Sequence, residues 1–196
     1  LDKDLDRLSD MVRSISDFPR PGIKFRDVLG ISQQRDGLSL CTSLLKTHFS
    51  GDWTRVETIV CCEAGGFVFA SALAAKVNVR LALIREAGKL PPPTVTVSKP
   101  PSHISNLGPT SSKNKVIEMS SNVIFKGSTV VVVDDVLATG MTLCAVLQLL
   151  QSVGVTPKDV TISVVAEFPV HGGRALLRRE GFGEVKIESL LVFGDA

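Results

Sequence analysis

Apolar residues fall along this chain in two rhythms. Leu5, Leu8, Met11, Val12 and Ile15 recur at helical spacing, which predicts an amphipathic helix ended by Phe18-Pro19-Arg20-Pro21-Gly22, where two prolines and a glycine cannot continue it. A second helix is predicted over residues 37–49, with Leu38, Cys41, Leu44, Leu45 and His48 on one face. Past it the rhythm shortens. Residues 56–62 form a short, largely apolar run with a β-branched centre, followed by Glu63-Ala64-Gly65-Gly66 and a helical stretch through Val77. The same strand, loop, helix order returns at Thr129-Val130-Val131-Val132-Val133, with Leu143, Val146, Leu147 and Leu150 at i, i+3, i+4 and i+7 beyond it. Residues 80–84, 159–166 and 185–193 read as further strands, with a helix at 173–180 before the last. Strands this apolar are buried on both faces, so the expected class is α/β: a central, mostly parallel sheet with helices on both faces.

Residues 91–121 break the pattern. They are rich in Pro, Ser, Thr, Lys and Asn and alternate weakly only at the ends, Val95/Val97 and Val116/Ile117; a loop of that length inside a compact domain is expected to be a lid or an insert. Neither an internal repeat nor a linker interrupts the chain, and 196 residues suit a single domain spanning 1–196.

Composition narrows the function classes. With 44% hydrophobic residues, 21% charged residues and a formal net charge of +2, the chain reads as a globular protein, not as a disordered or nucleic-acid-coating one. No apolar run approaches the roughly 18 residues that span a bilayer. The opening Leu1-Asp2-Lys3-Asp4-Leu5-Asp6-Arg7 is too charged for a secretory signal, so a cytoplasmic protein is expected, with neither nucleic acid nor membrane as partner. Cys61 and Cys62 lie in an apolar run and Cys41 and Cys144 on apolar helix stripes. Without a C-x-x-C spacing they are expected to be buried thiols, not disulfides or zinc ligands. His48, His103 and His171 are scattered and read as surface or capping residues.

The candidate chemistry lies after the most apolar strand, in Asp134-Asp135-Val136-Leu137-Ala138-Thr139-Gly140-Met141-Thr142. The carboxyl end of a central parallel strand opens onto the crevice where ligands bind, so the paired acids face a cleft. The small residues Ala138, Thr139, Gly140 and Thr142 lead directly into a helix, whose first N–H groups and positive dipole end bind phosphate. Carboxylates would repel that phosphate unless something separates them. A ribose does so: its 2′ and 3′ hydroxyls donate to the acids while its 5-phosphate rests on the loop. Asp-Asp as a mere turn cap is the competing structural reading.

The string VVVVDDVLATGMT resembles the 5-phosphoribosyl 1-pyrophosphate (PRPP) signature of type I phosphoribosyltransferases, among them the adenine phosphoribosyltransferases. Three other segments agree in order: Phe18-Pro19-Arg20-Pro21-Gly22-Ile23-Lys24-Phe25-Arg26-Asp27, Glu63-Ala64-Gly65-Gly66-Phe67-Val68-Phe69 and Ile84-Arg85-Glu86-Ala87-Gly88-Lys89-Leu90-Pro91. The resemblance implies a small hood from about residues 15–35 and a flexible lid from about 91–121. It implies that Phe25 stacks on a purine whose edge is read by backbone around Lys24 and Arg26. Asp134 and Asp135 would hold ribose hydroxyls or water on Mg²⁺, and Ala138, Thr139, Gly140, Met141 and Thr142 the 5-phosphate. Glu63, Ala64, Gly65, Arg85 and Lys89 would lie on the pyrophosphate side. The implied activity is purine salvage by a cytoplasmic homodimer: transfer of the phosphoribosyl group from PRPP to a purine such as adenine, giving AMP and pyrophosphate.

The departures cluster on one side. Gly65 stands where the family has Arg, Glu86 where it has Lys, and Met141 where it has Gly. Where the family has a Glu-Tyr-Gly lid element this chain reads Ser105-Asn106-Leu107-Gly108-Pro109-Thr110-Ser111-Ser112, and it contains no tyrosine. Two cations are missing and one anion is added where pyrophosphate would sit, and a charge contact near 4 Å is worth ~4 kcal/mol before solvation at an effective dielectric of ~20. Two readings therefore stand: a working transferase, or a catalytically impaired relative that binds AMP or another ribose 5-phosphate ligand as a sensor or regulatory subunit.

Overall fold

The computed structural model describes residues 2–99 and 115–194. The middle of the expected lid, with His103 and the segment standing in place of Glu-Tyr-Gly, lies outside the described residues.

Seven strands form the main sheet: β3 (Thr58–Cys62), β4 (Arg80–Glu86), β5 (Thr94–Lys99), β6 (Lys115–Ser120), β7 (Val130–Leu137), β8 (Val160–Glu167) and β9 (Lys186–Val192). Their order is β5-β6-β4-β3-β7-β8-β9. The pairs β4–β3, β3–β7, β7–β8 and β8–β9 are parallel, and β6 runs antiparallel to β4 and β5. The expected α/β class holds. A separate hairpin pairs β1 (Arg13–Ser16) with β2 (Lys24–Asp27).

Alternation along β7 divides its valines between two cores. Val130 and Val132 pack with α4 (Met141–Ser152) through Leu143, Val146, Leu147 and Leu150. Val131 and Val133 face the other way, toward α1 (Asp2–Asp10), α2 (Gly37–His48) and α3 (Gly65–Val77) through Leu8, Leu45, Phe69 and Leu73. A continuous run of β-branched residues is what a strand buried on both faces requires. Burying each such side chain is worth about 1.5–3 kcal/mol, and these central strands form the rigid floor of the site. All four cysteines are free and buried; burial pushes the Cys41, Cys61 and Cys62 thiols up to about 12.

Four expectations need correction. The first helix stops at Asp10: Ile15 sits in β1 opposite Phe25, so pairing with a distant strand outweighs the local helical spacing. The segment 91–121 is not loop throughout, because its ends are the antiparallel strands β5 and β6. Their weak alternation reflects a charged residue, Glu118, buried within β6. β7 runs on to Leu137, so Asp134 and Asp135 lie inside the strand instead of beyond it. The helix expected at 173–180 is the short α5 (Gly173–Leu177), continuing in a wider turn interrupted at Gly181, where φ is 90°.

Candidate active site at the carboxyl ends of the central strands

β3 and β7 are neighbours, and their carboxyl ends bring the loop after β3 against the acid pair. Asp134 is buried and Asp135 half-buried; Oδ1 of Asp134 accepts the Asp135 N–H at 3.0 Å. The first turn of α3 presses on both. A Cβ on Gly65 would lie 2.3 Å from Oδ2 of Asp135, and one on Gly66 2.9 Å from Oδ1 of Asp134. The absent side chain at position 65 is thus what seats the Asp135 carboxylate over the loop. An arginine here, as in the family pattern, would require that carboxylate to move. Burial pushes the Asp134 carboxyl well above the usual range, and the neighbouring Asp135 charge pushes the same way, with Lys99 opposing. Asp134 therefore favours its protonated form until a cation or hydroxyl donor stabilises the charge.

The loop after β7 is shaped by backbone contact. Gly140, at φ 79°, precedes α4 in a conformation that favours glycine. A Cβ there would come within 2.9 Å of the Gly173 carbonyl, and a Cβ on Gly173 within 2.4 Å of the Ala138 carbonyl. Two glycines thus let α5 support the loop from behind. Met141 begins the helix and is not among the residues with positive φ, so its replacement of glycine carries no backbone strain. No side chain caps α4, and its first N–H groups face the loop.

Behind this loop stands a polar lock. Glu167, buried at the end of β8, accepts two hydrogen bonds from Arg174, Nε at 2.7 Å and a terminal nitrogen at 2.8 Å. Ser189 Oγ donates to the same carboxylate. The Arg174 hydrogen bond, against the effect of burial, holds the Glu167 carboxyl below the usual range.

The hairpin covers the far side. Phe25 is half-buried and meets Phe18 edge-on at 5.0 Å. The Arg26 guanidinium lies over the Phe193 ring at 4.8 Å, and Phe193 stacks on Phe168 at 5.6 Å. These contacts tie the hairpin to the carboxyl ends of β8 and β9, and leave backbone as the means by which Arg26 could read a base. Lys24 is exposed in the same strand.

On the remaining side, Glu63 gathers the expected cations. Lys89 Nζ lies 3.3 Å from Oε1 of Glu63 and 3.4 Å from Oε2 of Glu86, and Arg85 Nε lies 3.4 Å from Oε2 of Glu63. Burial opposes ionisation of Glu63, yet the Glu86 N–H, Lys89 and Arg85 outweigh it and hold the carboxyl below its ordinary value. Glu118 accepts the N–H groups of Lys89 and Leu90, both at 2.8 Å, and the Thr94 hydroxyl at 3.1 Å. The Leu90 N–H, chief among these, lowers its pKa, so Glu118 fixes the turn that carries Lys89.

The structure thus brings Glu63, Ala64, Gly65, Arg85 and Lys89 to one side of Asp134 and Asp135, residues 138–142 to another, and Lys24, Phe25 and Arg26 to the hairpin. Sequence reasoning missed Glu118, Gly173 and the Glu167–Arg174 lock. The available signal was an acid embedded in an apolar strand, which must find a partner when buried.

Paired acids near the carboxyl end of a central parallel strand, followed by a glycine turn into a helix, place this chain among the open-sheet α/β domains whose ligand crevice lies at the strand ends. Residues 28–179 match the phosphoribosyl transferase domain model, and the chain belongs to that family. The adenine phosphoribosyltransferase of Sphingopyxis alaskensis is 34% identical over 97% of this chain and 94% of its own. The crystal structure of the adenine phosphoribosyltransferase from Thermoanaerobacter pseudethanolicus is similar with a TM-score of 0.80 and 29% identity, over 96% of this chain and 99% of that one. That of the Giardia lamblia enzyme complexed with 9-deazaadenine has a TM-score of 0.82 at 25% identity, over 96% and 97% of the two chains.

Proposed function

We propose that this protein transfers the 5-phosphoribosyl group of PRPP to adenine, giving AMP and pyrophosphate. The carrying observation is the Asp134–Asp135 pair inside β7, pressed on by Gly65 and Gly66 and followed by the Gly140 turn into α4. In this reading the ribose hydroxyls donate to the acids and residues 138–142 hold the 5-phosphate. Phe25 supports the purine while backbone of Lys24 and Arg26 meets its edge. The purine nitrogen bonds to ribose C1 as the bond to pyrophosphate breaks; the electron pair leaves with pyrophosphate, and the proton the nitrogen carried passes to pyrophosphate or water. The protein's part is positioning and stabilisation of the charge that develops.

Mg²⁺ fits the donor set as a substrate-borne ion. Among the described residues no group of three or more His, Cys, Asp or Glu side chains could hold a metal, but Mg²⁺ keeps much of its water and needs only one or two carboxylates beside phosphate oxygens. Asp134 and Asp135 would hold it through water or the ribose, and it would neutralise the departing pyrophosphate. The proposal includes the homodimer and the cytoplasmic location that the family resemblance implies. No helix among the described residues is long and apolar enough to cross a membrane.

The purified protein with PRPP, adenine and Mg²⁺ is expected to form AMP and pyrophosphate, detected by chromatography. No product with adenine, guanine or hypoxanthine, in protein whose melting temperature AMP still raises, would replace this reading with the sensor.

A further inference from the structure

Accepting the transferase reading, the side of the cleft that receives pyrophosphate follows from the strand order. A base that displaces pyrophosphate attacks ribose C1 from the side opposite the departing group. The hairpin that supports the base is tied to the ends of β8 and β9 through Arg26, Phe193 and Phe168. The diphosphate therefore lies toward β3 and β4, on the other side of β7. Glu63 directly follows β3, and Gly65, in the same loop, abuts the Asp135 carboxylate, so the group around Glu63 stands one short loop from the acid pair.

The two departures on this side are unequal. Position 65 is bound up with the ribose site, because a Cβ there would lie 2.3 Å from Oδ2 of Asp135, and an added side chain displaces a carboxylate assigned to a ribose hydroxyl. Glu86, the last residue of β4, has no such tie: its side chain is 50% exposed and reaches the ammonium of Lys89 at 3.4 Å. Lys89 Nζ also lies 3.3 Å from Oε1 of Glu63. Glu63 is needed where it is, since it accepts the Glu86 N–H and faces Arg85. With Glu86 added, the charges of Arg85 and Lys89 are matched by two acids. A diphosphate arriving there must compete with a carboxylate for the Lys89 ammonium, and charge-assisted hydrogen bonds are what hold such a ligand.

We propose that Glu86 is a specificity-determining residue: by engaging Lys89 it withholds a cation from the diphosphate of PRPP and shifts preference toward ligands phosphorylated only at the 5 position. Glu86 acts through Lys89 and positions it. A nucleoside monophosphate, whose phosphate rests on the loop after β7, does not depend on the pair. Both partners are close to half exposed, so the pair is weak and tunes PRPP affinity without abolishing it.

The test is calorimetric titration of the full protein, its Glu86→Gln and Lys89→Ala variants and the double variant, with PRPP plus Mg²⁺ and, separately, with AMP. Glu86→Gln keeps the shape and removes the charge. It is expected to tighten PRPP about threefold to tenfold and to change AMP affinity by less than about twofold. In the Lys89→Ala background the same substitution should change PRPP affinity by less than about twofold, because the partner through which it acts is gone. Unchanged or weaker PRPP binding in Glu86→Gln, equal gains for PRPP and AMP, or a full gain in the absence of Lys89 would overturn the assignment. Failure of the unaltered protein to bind either ligand would instead remove the transferase reading on which it rests.

Discussion

Replacing Asp134 and Asp135 together by asparagine is expected to weaken AMP and PRPP binding at least about 100-fold while making the ligand-free protein more stable. Each ribose hydroxyl donating to a carboxylate contributes roughly 1.5–3 kcal/mol, and losing two such bonds removes about two decades of affinity. The gain in stability comes from the same geometry. Asp134 is buried beside a second acid, and burial followed by the Asp135 charge raises its pKa. The folded state therefore holds a proton that the unfolded chain releases near pH ~4. The stability from Asp134 is full below that pH and declines as pH rises toward the raised folded value. Asparagine has no proton to lose. The melting temperature of the variant should exceed that of the unaltered protein by more at pH 8 than at pH 5, and calorimetry should show its AMP binding gone. Unchanged AMP affinity in the variant would remove the ribose assignment.

Arg174→Ala is expected to lower stability by about 2–3 kcal/mol, at or below the bottom of the ~3–5 kcal/mol for breaking a fully buried ion pair. Glu167 is 5% exposed and would lose its bidentate partner, but Arg174 is 41% exposed, so water reaches the break and moderates the loss. For a domain of this size the melting temperature should fall roughly 5–10 °C. The Arg174 hydrogen bond depresses the Glu167 pKa, so its contribution is present above the ordinary carboxylate value and disappears as pH falls through the depressed one. The gap between the two proteins should thus be wide at pH 7 and narrow in acid. Because Gly173 touches the Ala138 carbonyl, AMP affinity should fall too. Adding Glu167→Gln, which removes the stranded charge, should recover part of the lost stability; no recovery would show that Arg174 acts through packing alone.

The contrast between these two sites shows what a sequence carries openly. Asp134 and Asp135 follow four valines and precede small residues leading into a helix, a local sentence in which strand, acids and phosphate loop are read in order. The apolar runs of β3, β7 and β8 announced a sheet buried on both faces for the same reason. Ile15 misled, because its helical spacing from Leu8 and Met11 is local whereas its pairing with Phe25 is not. Glu118 and Glu167 were passed over because a lone acid in a strand reads as a solvated edge until the backbone N–H groups or the arginine that satisfy it are brought in from elsewhere. The seating of Asp135 against Gly65 was equally hidden: the sequence showed an arginine missing, and only the fold showed a carboxylate using the space.

A crystal structure of the protein with AMP tests the proposed ribose 5-phosphate site most directly. The two ribose hydroxyls should lie within hydrogen-bond distance of the Asp134 and Asp135 carboxylates, with the 5′-phosphate on the N–H groups of residues 139–142 and adenine beside Phe25. AMP bound elsewhere, or a pentose kept away from acids that remain turned onto protein groups, would contradict it.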